Sequence, residues 1–158
     1  FTVNDGQTRH RGIELELAHS FNQHLSVNFA GTYAKHTYSN EQVIGSINIK
    51  GNDIDTAPRK VANIDFNWQA NKHVSLALQW HYVSRYFTDP ENLHEYQGHD
   101  ILSLRGQWQI SPQLLLSARI INLTNTAYAQ RADYTSFTGD RYFPGKPRNA
   151  MLSVSYQW

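Results

Sequence analysis

The chain has 158 residues, a net charge of +1 and no cysteine. The lack of cysteine excludes a disulfide framework, a thiolate metal site and a cysteine nucleophile. The lack of a lysine- or arginine-rich block argues against a nucleic-acid surface. No apolar run approaches the ~20 residues of a membrane helix. The chain opens on Phe1 without an apolar leader, so we expect either a mature exported protein or, preferably, a piece of a longer one.

Apolar and polar side chains alternate along most of the chain, which is the periodicity of a β-strand. Helical periodicity is almost absent. The alternation predicts about seven strands, with apolar faces over 13–17, 25–33, 62–68, 74–82, 102–108, 114–120 and 150–158. The sequence therefore predicts an all-β fold.

The connections between these strands alternate between short and long. Short links are predicted near 22–24, 71–73 and 111–113, and long ones over about 39–57, 88–97 and 129–147. The long segments are rich in Gly, Asn, Asp, Pro and Tyr, which favour loops. Short turns at one end and long loops at the other are typical of an antiparallel up-and-down transmembrane β-barrel.

Aromatic side chains fall near both ends of the predicted strands. Those beside the short turns are Phe21, Trp68, Trp108 and Trp158. Those toward the long loops are Tyr33, Tyr38, Trp80, Tyr82, Tyr86 and Phe87. Such positions predict the two interfacial girdles of a membrane barrel. The apolar faces would then meet lipid, and the polar faces, with Glu14, Glu16, Asp65, Arg105 and Arg119, would face the lumen.

An odd strand number conflicts with a closed barrel, because single bacterial chains form barrels with an even number. Both edges of a seven-stranded sheet would be unpaired in lipid, which the membrane does not tolerate. We therefore expect the C-terminal piece of a larger barrel. Two alternatives stay open. One is a small eight-stranded barrel with a structural or adhesive role, with an extra strand near Phe1. The other is a soluble β-sandwich that binds carbohydrate through aromatic loops.

Two segments carry a more specific pattern than alternation. They are 122–128 (NLTNTAY) and 139–148 (GDRYFPGKPR). With 11–16, 57–59 and the final aromatic residue, their order and spacing resemble the C-terminal barrel of TonB-dependent outer-membrane receptors over essentially the whole chain. The resemblance implies a barrel of about 22 strands, plugged by an N-terminal domain, in the bacterial outer membrane. Residues 1–158 would supply the last seven or so strands, with the plug domain and TonB box absent from this sequence.

The resemblance also implies a function, the energised import of a scarce solute. The first expectation is a ferric siderophore, with haem or cobalamin as alternatives. Import consists of binding, plug release and passage, so no enzymatic activity, catalytic residue, resident cofactor or metal site is expected. The expected partners are this ligand, the TonB complex through the N-terminal region, the barrel-assembly machinery and the lipid bilayer; nucleic acid is not one.

The aromatic long loops supply the predicted ligand-binding residues. They are Tyr86, Phe87, Tyr134, Phe137, Arg141, Tyr142 and Phe143. Ferric siderophores are often anionic with apolar or aromatic bodies, which aromatic faces and cationic donors recognise. The run 144–148 is either a rigid lead-in to the last strand or a further ligand contact. Tyr156 and Trp158 are expected to act as an assembly signal for the barrel-insertion machinery.

The eight histidines do not predict a metal or haem site. They contain no H-E-x-x-H motif and no pair at metal-ligand spacing in the sequence. His36, His94 and His99 map near the long loops. We expect them to be ordinary loop or solvated histidines.

Overall fold

The computed structural model describes residues 6–158. In this part of the chain the strands are β1 (Thr8–Ser20), β2 (Leu25–Tyr38), β3 (Val43–Ile44), β4 (Ile47–Asn48), β5 (Lys60–Asn71), β6 (Val74–Val83), β7 (Tyr86–Phe87), β8 (Glu95–Tyr96), β9 (His99–Ser111), β10 (Leu114–Ile121), β11 (Ala129–Thr135), β12 (Gly139–Pro144) and β13 (Asn149–Tyr156). None of the residues 6–158 belongs to a helix that is long and apolar enough to cross a membrane.

Seven of these strands form one antiparallel sheet. Its order is β1-β2-β5-β6-β9-β10-β13, so each strand pairs with the next long strand along the chain. This up-and-down topology confirms the predicted all-β fold and all seven predicted strands. Within the described residues the sheet is open, with β1 and β13 at its edges. The alternative eighth strand near Phe1 lies outside the described residues.

The two faces of the sheet differ as the alternation predicts. Ile13, Leu15 and Leu17 of β1 are exposed on one face, with no second layer packed on them. The opposite face is polar: Asp65 accepts a hydrogen bond from Gln79 on the neighbouring strand at 2.6 Å. Apolar side chains that point away from the protein are what a lipid-facing barrel wall requires.

Two of the three short turns share one capping device. The Asn22 side-chain oxygen accepts hydrogen bonds from the backbone N–H groups two and three residues further on, at 2.7 and 2.9 Å. Asn71 repeats this arrangement, at 2.8 and 3.1 Å. Such Asx turns reverse the chain without leaving backbone donors unpaired. The short links were thus predicted at the right places.

The three long connections are more ordered than predicted. We name them the first (39–59), second (84–98) and third (122–148) long loops; they contain the hairpins β3–β4, β7–β8 and β11–β12. The sequence predicted only loops there. The short strands lie in segments rich in Gly, Asn and Pro, whose composition predicts loops. Gly45 (φ 61°) and Gly139 (φ 72°) provide the left-handed turn residues of two hairpins.

Two predicted girdle residues have other roles. The Tyr38 hydroxyl donates to Asp55 at 2.7 Å, and Tyr86 is buried within the second long loop. The girdle prediction was wrong for both, because aromatic type alone does not show which face a residue takes. Trp80 and Tyr82 remain on the apolar face, with ring centres 5.5 Å apart.

Candidate functional site

The second and third long loops are joined by two tyrosine hydroxyl groups. The Tyr86 oxygen accepts a hydrogen bond from the backbone N–H of Ala132 at 2.8 Å. The Tyr96 oxygen accepts one from Ala129 at 3.0 Å. Tyr86, Ala129 and Ala132 form the buried apolar cluster found in the described residues. This buried apolar cluster therefore lies in the second and third long loops and not in the seven-stranded sheet.

A pair of stacked aromatic rings also joins the second and third long loops. The Tyr134 ring lies on the His94 imidazole, with ring centres 3.5 Å apart and planes 10° from parallel. The Tyr134 backbone N–H donates to the Thr88 carbonyl at 2.9 Å. Buried Asp89 accepts a hydrogen bond from the His94 backbone N–H at 2.8 Å. These contacts fix the third loop on the second.

The first long loop is hydrogen-bonded to the second, with the Asn92 side chain as one of the connections. The Asn92 side chain accepts from the Asp53 N–H at 2.8 Å and donates to the Asp53 carbonyl at 2.9 Å. Asp53 in turn holds the Arg59 guanidinium through two hydrogen bonds, which raise the pKa of Arg59 above its ordinary value. All three long loops thus form one hydrogen-bonded body, which we call the long-loop unit.

A recess of about 710 Å³ lies between the long-loop unit and the polar face of the sheet. It is lined by Thr56, Pro58, His81, Val83, Tyr86, His99, Ile101, Tyr128, Gln130 and Arg131. His99 is central to its polar wall, because its Nδ1 lies 3.1 Å from the Tyr96 hydroxyl and its ring centre 4.7 Å from that of Tyr128. The recess therefore offers imidazole, phenol, amide and guanidinium groups to a ligand.

The electrostatic balance at the recess is positive. Arg131 and Arg141 both contact Asp133, which is only 5% exposed. One carboxylate shared between two guanidinium groups leaves one positive charge uncompensated. The Arg131 guanidinium also lies 5.6 Å from the ring centre of Phe143, a cation–π arrangement. Burial raises the pKa of Tyr86 above its ordinary value, and a phenol is already uncharged at neutral pH.

Three of the predicted ligand residues belong to the packed interior of the long-loop unit. Tyr86 lines the recess while holding Ala132. Tyr134 is stacked on His94. Phe87 is half-buried on β7. These residues shape the site, and Tyr86 alone of the three reaches the recess.

The other four predicted residues lie on the hairpin of the third long loop. Phe137 is 96% exposed at the β11–β12 turn. Tyr142 and Phe143 are exposed on β12, and Arg141 is engaged by Asp133. None of the four lines the recess. We call Phe137, Tyr142 and Phe143 the aromatic rim of the third long loop; the Phe143 ring lies 5.6 Å from the guanidinium of Arg131, which does line the recess.

Of the ten lining residues only Tyr86 was predicted, and sequence reasoning missed the other nine, among them His81, His99, Tyr128 and Arg131. A signal was present for the two histidines, because both fall on the polar face near the long-loop end of their strands. Tyr128 belongs to the segment 122–128, where its ring is packed against Gly145 of the segment 139–148. The structure brings these two sequence segments together.

Asn122 explains the contact between the two segments. It is fully buried at 0% exposure and has a left-handed backbone, with φ 55°. Its Nδ2 donates to the Thr126 carbonyl at 2.9 Å and to the Lys146 carbonyl at 3.1 Å. The Asn125 side chain accepts from the Arg148 N–H at 3.0 Å. These hydrogen bonds hold Lys146 and Arg148 where the chain enters β13, which agrees with the lead-in interpretation of the run 144–148.

One histidine pair forms across strands despite its distance in sequence. The Nδ1 atoms of His10 and His36 are 2.7 Å apart, so one ring N–H donates to the other ring. Residues 6–158 contain no group of three or more His, Asp or Glu side chains that could hold a metal ion.

The sequence matches the model of a known protein family. The model of the family described as TonB dependent receptor-like, beta-barrel, matches residues 1–123. The chain belongs to this family. TonB-dependent receptors are outer-membrane barrels, in which the long loops are extracellular and the short turns periplasmic. The long-loop unit and its recess lie at the end of the sheet that corresponds to the extracellular end of the barrel in this family.

Solved TonB-dependent receptors have the same strand arrangement. The ferric yersiniabactin uptake receptor FyuA of Yersinia pestis is 18% identical, with a TM-score of 0.82 over 97% of this chain and 24% of its own. The siderophore receptor PiuA of Acinetobacter baumannii is 16% identical, with a TM-score of 0.80 over 97% of this chain and 22% of its own. BauA, the ferric preacinetobactin receptor of Acinetobacter baumannii, is 26% identical, with a TM-score of 0.73 over 98% of this chain and 23% of its own.

The matching chain is much shorter than these receptors. The chain spans 22–24% of the length of the three receptors. No curated protein matches the sequence.

Proposed function

We propose that residues 1–158 are the C-terminal barrel portion of an outer-membrane receptor that imports a ferric siderophore with energy from the TonB complex. The membership in the TonB-dependent receptor family carries this proposal. Solved neighbours named for ferric yersiniabactin and ferric preacinetobactin support the ligand class. The plug domain and TonB box would lie elsewhere in the full receptor, which acts by binding and transport without an enzymatic step.

The recess and the aromatic rim supply the contacts for such a ligand. Arg131 provides a positive charge, and Tyr128 and His99 provide hydrogen-bonding groups on the recess wall. Phe137 and Tyr142 offer exposed aromatic faces on the same long loop as Arg131. An anionic chelate with an aromatic body would place its charge against the guanidinium and its rings against the rim.

The hydrogen bonds of the long-loop unit support a static role for this segment in import. Its three loops share hydrogen bonds through Asn92 and Tyr86, so this part of the outer wall is pre-formed. A ligand that enters a pre-formed site loses less affinity to the ordering of side chains and loops. We infer that this segment contributes a fixed wall, and that energised movement takes place in the plug.

The direct test is iron uptake by the full-length receptor in a bacterial strain that lacks its own siderophore receptors. Cells are supplied with radiolabelled iron on catecholate, hydroxamate and mixed-type siderophores, and in parallel with haem and cobalamin. We expect uptake of one ferric siderophore, which disappears in a strain without TonB. Uptake of only haem or cobalamin, or uptake that persists without TonB, would contradict the proposal.

A variant pair locates the ligand contact. Arg131→Gln removes the uncompensated charge of the recess, and we expect the ligand dissociation constant to rise about tenfold or more, as for a charge-assisted hydrogen bond. Lys50→Gln is the matched control, because Lys50 pairs with Glu41 at 3.2 Å in the first long loop and does not line the recess. Equal affinities for the two variants would exclude Arg131 from the site.

A further inference from the structure

Four cationic side chains lie together on the apolar face of the sheet at its long-loop end. They are Arg9, Arg11, Lys35 and Lys60, and all four are exposed. Register places them side by side, since Arg11 is directly opposite Lys35, and Lys60 is opposite Tyr33. Arg9 precedes Arg11 by two residues and therefore shares its face. We call this group the basic rim.

The basic rim is not neutralised by the protein. Among the ion pairs of residues 6–158, none includes any of its four members. The nearby Arg59 and Arg85 differ, because they pair with Asp53 and Glu95. Among the described strands of the sheet, the carboxylate on the same face is that of Asp100 on β9, two strands away from Lys60. Asp53 and Glu95 line a recess together with Lys60, but each already pairs with an arginine. An uncompensated group of four cations on one surface attracts an anionic partner.

Position along the strand places the basic rim at a membrane boundary. Phe21 marks the short-turn end of the apolar face, and Arg11 lies ten residues away on the same face. Ten residues extend about 33 Å along a strand, which is about 25 Å of depth at a barrel tilt of about 40°, the height of the apolar band. Tyr33, exposed beside Ile13, sits at the same boundary, where aromatic girdles lie.

We propose that Arg9, Arg11, Lys35 and Lys60 bind the phosphate groups of a lipid headgroup in the outer leaflet of the membrane. Phosphate is complementary in charge, and arginine can hold it through two parallel hydrogen bonds. The site is continuous with the exposed apolar stripe Ile13, Leu15 and Leu17, which would contact the acyl chains of the same lipid. The proposal rests on the membrane location of the proposed function and not on its siderophore.

The test is lipid binding to the purified, delipidated full-length receptor in detergent. Native mass spectrometry measures how much diphosphoryl lipid A or phosphatidylcholine stays bound during titration. The double variant Arg11→Gln/Lys35→Gln removes two adjacent cations, and each removed charge should weaken binding about fivefold, or about 25-fold together. Its matched control is Arg105→Gln/Arg119→Gln, since these two arginines are directly opposite each other on the polar face.

The outcomes distinguish lipid binding by the basic rim from nonspecific lipid binding and from a soluble anion site. We expect the control to bind lipid A as the unchanged receptor does, and phosphatidylcholine to bind weakly to all forms. Equal losses in both double variants, or no loss in either, would overturn the proposal. Full displacement of lipid A by inorganic pyrophosphate at equal concentration would indicate a soluble anion site and would also overturn it.

A replacement variant and a parallel uptake measurement complete the test. If the double variant does not fold, Lys60→Gln replaces it, with an expected fivefold loss of lipid A affinity. Iron uptake is measured on the same variants. A receptor that imports no siderophore but binds lipid A through these residues refutes only the proposed ligand, whereas uptake without lipid A selectivity refutes only the basic rim.

Discussion

The phenolic oxygen of Tyr86 accepts a hydrogen bond from the backbone N–H of Ala132, 46 residues further along the chain, at 2.8 Å. Both residues are buried, so water cannot replace this bond if it is lost. A single hydroxyl group thereby connects the second and third long loops at their most tightly packed point.

Removal of that hydroxyl should loosen the third long loop. In Tyr86→Phe, the Ala132 N–H stays buried without an acceptor, which costs about 1–3 kcal/mol. We expect faster amide hydrogen exchange across β11 in the full-length receptor, by up to about 100-fold if exchange proceeds through loop opening. Tyr142→Phe is the control, because Tyr142 is exposed. Unchanged protection of β11 in Tyr86→Phe would show that other contacts hold the loops together.

Asn122 should be more sensitive to substitution than its exposed neighbours. Asn122→Gly keeps the left-handed backbone accessible but loses three hydrogen bonds, whereas Asn122→Ala also strains the backbone by about 1 kcal/mol. We therefore expect thermal stability to fall in the order wild type, Gly, Ala, measured by unfolding of the β-sheet in detergent. Thr124→Ala, at an exposed site, should change little. The same stability for Gly and Ala would exclude the backbone contribution.

Gly145 should not tolerate a side chain while Tyr128 is present. A Cβ at this position would lie 2.1 Å from the Tyr128 ring, so Gly145→Ala must displace the ring from the wall of the recess. We expect weaker ligand binding and a loss of about 1–3 kcal/mol in stability, as for an overpacked site.

Two variants check that explanation. Gly6→Ala places its Cβ in open space and should be neutral. The double variant Gly145→Ala/Tyr128→Ala should recover the stability lost to the clash, while ligand binding stays weak. A double variant less stable than both single variants would argue against a direct clash.

Trp158 should affect the amount of receptor in the outer membrane more than its activity there. Tyr156 shares the apolar side of β13 with Val154, Trp158 follows two residues after β13 ends, and both aromatic rings are exposed. If they form an assembly signal, Trp158→Ala should lower outer-membrane levels several-fold, measured by immunoblot of membrane fractions. Trp108→Ala removes an exposed aromatic ring near the same end of the sheet. Equal reductions in both variants would indicate a general need for girdle aromatics and no special signal.

The sequence predicted the sheet well because its determinants are local. Alternation within each strand, such as Ile13 to Leu17, requires only knowledge of neighbouring residues. The turn chemistry of Asn22 and Asn71 is equally local. Seven strands, their order and the sorting of the loops could therefore be predicted without any knowledge of long-range contacts.

The site was predicted only in part because its contacts are non-local. Aromatic composition pointed to the third long loop, but not to the burial of Tyr86 or to the engagement of Arg141 by Asp133. His81 and His99 enter the recess only through the pairing of β6 with β9. The structural use of segments 122–128 and 139–148 depended on Asn122, whose partner Lys146 is 24 residues away.

The hydrogen bonds within the long-loop unit also restrict how this chain can be re-engineered or can exchange segments with its relatives. Asn92 completes backbone hydrogen bonds of Asp53, and Tyr96 does the same for Ala129. A graft of one loop from a relative would leave polar groups of the remaining two without partners. Chimeras, and recombination in nature, should therefore preserve function only when all three loops are transferred as a set.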